Sequence, residues 1–216
     1  MDTIRQIRFI WKPIVFLLCL VPAGMVITDL FEISGTLGAN PVEAMLDRFG
    51  TWAIRFIMIT LAVTPLRKLT GWNWLARFRR MFGLFTFFYV LMHFSVWLML
   101  DRGLYFSGFA EVLPAVVEDL TERTFITLGF TALVLLTAMA VTSTAGMRRR
   151  MGRRWQKLHY SAYAVGVLGV WHYWWQVKKG PDDAIYYAAI LAALIGLRTY
   201  WYLQKRKKGQ HKKSPA

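Results

Sequence analysis

Cysteine is almost absent from this sequence. The one thiol, Cys19, sits inside an apolar run, and a single thiol builds no intramolecular disulfide, zinc site or iron–sulfur cluster. Acidic residues are scarce, 12 Asp and Glu against 27 Lys and Arg, and charges of both signs make up only 18% of the chain. With 56% hydrophobic and 16% aromatic residues beside it, so low a charge content excludes an ordinary soluble domain. No G-x-G-x-x-G follows a strand-like run, which excludes an encoded dinucleotide fold. Any bound metal must therefore be held by other ligands than thiolates, and only four histidines are present.

The 216 residues have room for about six membrane spans of roughly 20 residues with short connections. Six apolar stretches are found at Pro13–Phe31, Thr51–Leu66, Met81–Leu100, Phe125–Ser143, Leu158–Val177 and Ala184–Leu203. The first follows Arg5, Arg8 and Lys12 as a signal peptide would. It is too long for a typical h-region and no A-x-A-like site follows it, so a retained span is expected. The expected organisation is an N-terminus over 1–12, a transmembrane domain over 13–203 and a basic tail over 204–216. Apart from that tail, no internal repeat or low-complexity segment is evident.

The formal charge of +15 is split into short blocks, not spread over one face. Twenty Lys and Arg fall before the first span, in the second and fourth loops and in the tail, and none of these blocks sits on a nucleic-acid reading motif. The odd loops hold only Arg48, Arg102, Arg123, Lys178 and Lys179, together with every acidic residue except Asp2. By the positive-inside rule both termini are cytoplasmic. The fold class expected is an all-α integral membrane protein, a bundle of six transmembrane helices in the lipid bilayer.

His211 lies in the basic tail, whereas His93, His159 and His172 fall within the third and fifth spans. An ionisable side chain inside a span is a functional-site hypothesis by default, and its bland alternative is polar glue between helices. Counted from the cytoplasmic ends of their spans, His93 lies roughly 18 Å up and His172 roughly 21 Å up at 1.5 Å per residue. Two neutral imidazoles at matched depth suit the axial positions of a six-coordinate haem, and their pairing removes the cost of burying each alone. His159 lies roughly 20 Å below His172, at the inner interface. On a straight helix it also points about 140° away, so a second haem there needs a helical irregularity, expected near Gly166 or Gly169, or a ring edge approached from another side. No second histidine matches its height. Arg79 stands there instead, within about 40° of the face of His93.

Arg is a poor iron ligand because its guanidinium stays protonated. Arg79 suits a haem propionate, a flavin or quinone headgroup, or a plain anchor in lipid headgroups. Arg55, one turn into the second span, suits snorkelling or a propionate. Trp171, Tyr173, Trp174 and Trp175 around His172 read mainly as an interfacial belt, with some rings available to wall a haem. The segment 104–122 mixes apolar and acidic residues, as an interfacial helix or an acidic edge for a partner would.

Several motifs together resemble one family. They are Leu37-Gly38-Ala39-Asn40-Pro41-Val42, Thr64-Pro65-Leu66, Arg77-Phe78-Arg79-Arg80-Met81-Phe82-Gly83-Leu84 leading to His93, and Trp155-Gln156-Lys157-Leu158-His159 leading to His172. Over about residues 35 to 200 the chain resembles the haem-binding membrane subunits of the bacterial periplasmic methionine sulfoxide reductase system (the MsrQ, or YedZ, family). That family belongs to the ferric-reductase-like transmembrane superfamily, where the third and fifth spans typically each give two haem-ligating histidines. Arg79 replaces the inner one of the third span here, as is usual in this subfamily.

The resemblance implies haem b, one or two per chain, held by His93, His172 and His159, with Arg79 and Arg55 as further cofactor-binding candidates. It implies FMN as well. It further implies a bacterial inner membrane location and electron transfer from quinol or a cytosolic flavin reductase to a periplasmic molybdopterin-containing, MsrP-like catalytic subunit. Nothing after Leu203 is long enough for a flavin or nicotinamide domain, so the expected donor is a separate molecule. Two other readings stand beside this one. The first is a self-sufficient ferric or quinone reductase of the same fold; the second is a transporter or assembly protein whose histidines are glue or a proton path.

Overall fold

The computed structural model describes residues 3–176 and 182–211. Val177 at the end of the fifth expected span, and Lys178, Lys179, Lys212 and Lys213, lie outside the described residues. The described chain is all helical. We label the helices α1 (Ile4–Leu30), α2 (Pro41–Thr70), α3 (Arg79–Asp101), α4 (Phe109–Glu122) and α5 (Thr124–Val141). They are followed by α6 (Ala145–Met151), α7 (Arg153–His159), α8 (Ala162–Gln176) and α9 (Asp182–His211). Five of these, α1, α2, α3, α5 and α9 (over Asp182–Arg206), are long and apolar enough to cross a membrane.

The second span begins ten residues before the apolar pattern does. Asn40 caps it by accepting from the Glu43 amide at 3.2 Å, and Pro41 occupies the first helical position, where its missing N–H costs nothing. Gly71, with φ of 75°, closes the other end in the left-handed conformation. Glu43, Asp47 and Arg48 hide this outer part of α2 from a hydropathy reading. The 30-residue helix is roughly 45 Å long and outreaches the hydrocarbon core.

Helix α2 is the centre of the bundle. Of its most apolar window 56% is buried, against 22% or less in the other long helices. One face of α2 (Met45, Phe49, Ala53, Phe56) packs on α1 and α3, and the opposite face (Ile54, Ile57, Met58, Leu61) packs on α5, α8 and α9. In the first of these cores Tyr89 of α3 is fully buried. Its hydroxyl donates to the Cys19 carbonyl at 2.7 Å and accepts from the Ala23 amide at 3.2 Å. These two α1 groups stand four apart, the spacing of a helical hydrogen bond, so the phenol bonds both ends of one position in the α1 ladder, beside Pro22. Its ring stacks on Phe56 at 5.2 Å.

The fifth expected span is interrupted. Helix α7 ends at His159, Tyr160 and Ser161 form a turn, and α8 runs over Ala162–Gln176 between α2, α5 and α9. The irregularity expected near Gly166 or Gly169 therefore falls at residues 160–161. Gly166 is instead a packing position, where an added Cβ would stand 3.1 Å from Leu191 and 3.2 Å from Leu61.

Helix α4 carries three stripes at helical spacing. Val112 and Asp119 are buried, Phe109, Leu113 and Val117 form an exposed apolar line, and Glu111, Glu118 and Glu122 an exposed acidic one. That is the pattern of a helix lying in an interface. Arg102 and Arg123 both pair with Asp119, at 3.2 and 3.1 Å, and Arg48 pairs with Asp29. Each described arginine of the odd loops thus has an acidic partner.

Candidate functional site

His93 projects from α3 one turn beyond Tyr89, and His172 projects from α8. Their ring centroids are 6.0 Å apart with the planes at 89°. His93 Nδ1 lies 3.0 Å from the Leu46 carbonyl of α2, and His172 Nδ1 lies 2.7 Å from the Phe125 carbonyl of α5. A carbonyl only accepts, so each Nδ1 carries the proton and donates. Each Nε2 is left with a free lone pair, the form in which histidine binds a metal. Two metal–imidazole bonds of about 2 Å in line, plus the two half-rings, span roughly 6 Å, so the spacing fits one iron between the rings. The Phe125 ring stands beside His172 at 6.3 Å.

The third intramembrane histidine is placed differently. His159 Nδ1 bonds the Trp155 carbonyl of its own helix at 3.1 Å, and its ring stacks on Trp155 at 3.8 Å between centroids. The Trp155 indole N–H in turn donates to the Thr142 carbonyl at 2.9 Å, which ties α7 to the end of α5. Arg79, the first residue of α3, lies near enough to His159, Arg67 and Arg198 to act on them electrostatically. The structure therefore joins His93 with His172 and, separately, His159 with Arg79. Among the described residues no three His, Cys, Asp or Glu side chains cluster as metal ligands.

Arg55 reaches across to α9. Its Nε donates to the Tyr187 hydroxyl at 3.1 Å and its guanidinium lies 4.8 Å from the Trp52 ring centroid. Arg198 belongs to the cluster around Arg79: it donates to the Leu61 carbonyl at 2.6 Å and to the Tyr163 hydroxyl. A charge count by loops passes over Arg198, yet a lone arginine inside the last apolar run is itself the signal. The carbonyls of Leu46 and Phe125 carry no side-chain signal at all.

Helices long and apolar enough to cross a membrane, packed around two adjoining imidazoles, define an α-helical protein of the multi-pass membrane class. Residues 49–170 match the family described as ferric reductase like transmembrane component, a stretch that includes His93 and His159 and stops just before His172. The chain is 48% identical over 200 residues to a protein of Ralstonia nicotianae, covering 90% of this chain and 87% of that one. It is 44% identical to one of Herminiimonas arsenicoxydans (91% and 88% covered) and 41% identical to one of Xanthomonas oryzae pv. oryzae (94% and 92% covered). All three are named protein-methionine-sulfoxide reductase heme-binding subunit MsrQ. The chain belongs to the MsrQ family, within the ferric-reductase-like transmembrane proteins. No solved structure matches it.

Proposed function

We propose that the chain is the haem b-bearing membrane subunit through which a bacterial protein-methionine-sulfoxide reductase receives its electrons. The observation that carries this reading is the facing pair His93 and His172, 6.0 Å apart, each with its Nδ1 proton given to a backbone carbonyl. Held there by His93 and His172, haem would supply a one-electron couple. The chain's part is to hold two neutral imidazoles at a fixed separation inside the bilayer. Donation from Nδ1 to Leu46 and Phe125 fixes the tautomer and raises the basicity of each Nε2.

The reading assigns one haem b. Among the described residues no second imidazole is found against His159, and Arg79 stays protonated. With Arg67 and Arg198 it gives the inner end a positive field, suited to an anionic headgroup such as the FMN phosphate or a haem propionate. The test is an absorption spectrum of the purified protein after haem-replete expression. Reduced-minus-oxidised haem b bands are expected, and their absence sinks the proposal.

We place the chain in the inner membrane with both termini cytoplasmic and six crossings, α8 forming the fifth. Helix α8 alone is roughly 22 Å long, and α7 lies before it to extend the path. The distribution of Lys and Arg supports this orientation: twenty fall on the side given to the cytoplasm and five on the other. In a Cys19→Ala background, Glu118→Cys is expected to react with a membrane-impermeant thiol reagent added outside the inner membrane. Arg149→Cys is expected to react only after permeabilisation, and labelling of Arg149→Cys from outside would reverse the topology.

Electrons are taken from membrane quinol or a cytosolic flavin reductase and delivered to a periplasmic molybdopterin-containing, MsrP-like subunit that repairs oxidised envelope proteins. The reduced protein should reoxidise rapidly only when that partner is added. Equally rapid reoxidation by ferric chelates alone would favour a self-sufficient reductase of the same fold.

A further inference from the structure

The two histidine seats are built alike, although the sequence shows no repeat. In each, the imidazole and the carbonyl it bonds are 47 residues apart, Leu46 with His93 and Phe125 with His172. In each, a glycine stands four residues after the carbonyl, Gly50 in α2 and Gly129 in α5. A Cβ added to Gly50 would stand 3.2 Å from His93 Nδ1 and 3.4 Å from its Cε1. One added to Gly129 would stand 3.0 Å from both Nδ1 and Cε1 of His172.

The physical reason lies in the helix geometry. The carbonyl of residue i already accepts from the N–H of residue i+4, and its second lone pair is reached from the side of that residue. A side chain at i+4 covers this approach, and glycine opens it. In membrane helices small residues stand where neighbouring groups come close to the backbone, and here the group that comes close is an imidazole.

We propose that Gly50 and Gly129 are positioning residues for the haem ligands: the missing Cβ lets each imidazole lie against the neighbouring helix backbone, and the two seats together set the perpendicular ring planes. This rests on the reading of His93 and His172 as axial ligands. The plane angle has a chemical consequence. Perpendicular axial imidazoles leave the two iron dπ orbitals they interact with nearly equal in energy, whereas parallel ones split them, and the low-spin EPR signal reads that splitting. Alanine at either seat must turn or push back its ring, since the added Cβ is fixed to the backbone and cannot swing away. The closer contact makes Gly129 the more sensitive seat.

The test compares wild type, Gly129→Ala, Gly50→Ala and Gly169→Ala, which meets nothing within 4 Å. The readouts are haem per folded, monodisperse protein and the low-spin EPR spectrum of the oxidised form. Gly129→Ala is expected to lose haem several-fold and to shift the largest g value of what remains. Gly50→Ala is expected to keep more haem with a shifted signal, and Gly169→Ala to match wild type. If Gly129→Ala yields no folded protein, Gly50→Ala decides the question alone. Haem content and EPR equal to wild type in every folded seat variant would overturn the positioning role while leaving the haem reading intact. Wild type without haem would overturn both.

Discussion

Replacing His93 or His172 by alanine is expected to abolish the six-coordinate haem spectrum, while His159→Ala leaves it in place. On the proposed ligation, each of the first two substitutions removes one of the two nitrogens that would hold the iron; the two rings stand 6.0 Å apart. Loss of an outer-shell partner alone typically costs about 10–100-fold in metal affinity, so loss of a ligand should exceed that. Either variant also leaves the opposite imidazole buried without a partner for its Nε2. His159 stands apart from this pair: its Nδ1 is bonded within α7 and its ring rests on Trp155. The measurement is the reduced-minus-oxidised spectrum per folded protein for all three variants. Equal loss in all three would show that the histidines act as one site and would sink the division drawn here.

The second large effect is expected at Tyr89, one helical turn from His93. Its hydroxyl makes two buried hydrogen bonds to the α1 backbone, and its ring is enclosed by Phe49, Trp52, Phe56 and Phe88. Tyr89→Phe removes both of these hydrogen bonds, at a cost of about 1–3 kcal/mol. Tyr89→Ala adds the loss of a buried ring, for which about 3–5 kcal/mol is typical. Thermal unfolding of the purified protein should rank the three as wild type, Phe, Ala. The haem spectrum of Tyr89→Phe should stay that of wild type, because the His93 seat is on α2. Stability of Tyr89→Phe equal to wild type would mean that the hydroxyl contributes nothing where it stands.

Much of this molecule can be read without coordinates, for identifiable reasons. The apolar runs of α1, α3, α5 and α9 are long and continuous, and their ends fall within a few residues of expectation except at the start of α1 and the end of α9. Helix α2 is read ten residues short because Glu43, Asp47 and Arg48 break its apolar run, although Asn40-Pro41 marks its true start. The fifth stretch reads as one apolar helix, yet the chain turns at Tyr160 and Ser161, where no proline or glycine marks the break. The partnership of His93 with His172 follows from counting depth along two helices. The seats do not, because a backbone carbonyl looks the same at every position of a sequence.

What the sequence determines by itself is the solvent and the chemistry. Its apolar content demands a bilayer, its single thiol excludes sulfur ligation, and three histidines in apolar runs nominate nitrogen ligands. The tertiary structure decides which histidines meet, in what tautomer and at what angle. Those properties depend on carbonyls and missing Cβ atoms contributed by α2 and α5, which come near the rings only when the bundle is packed.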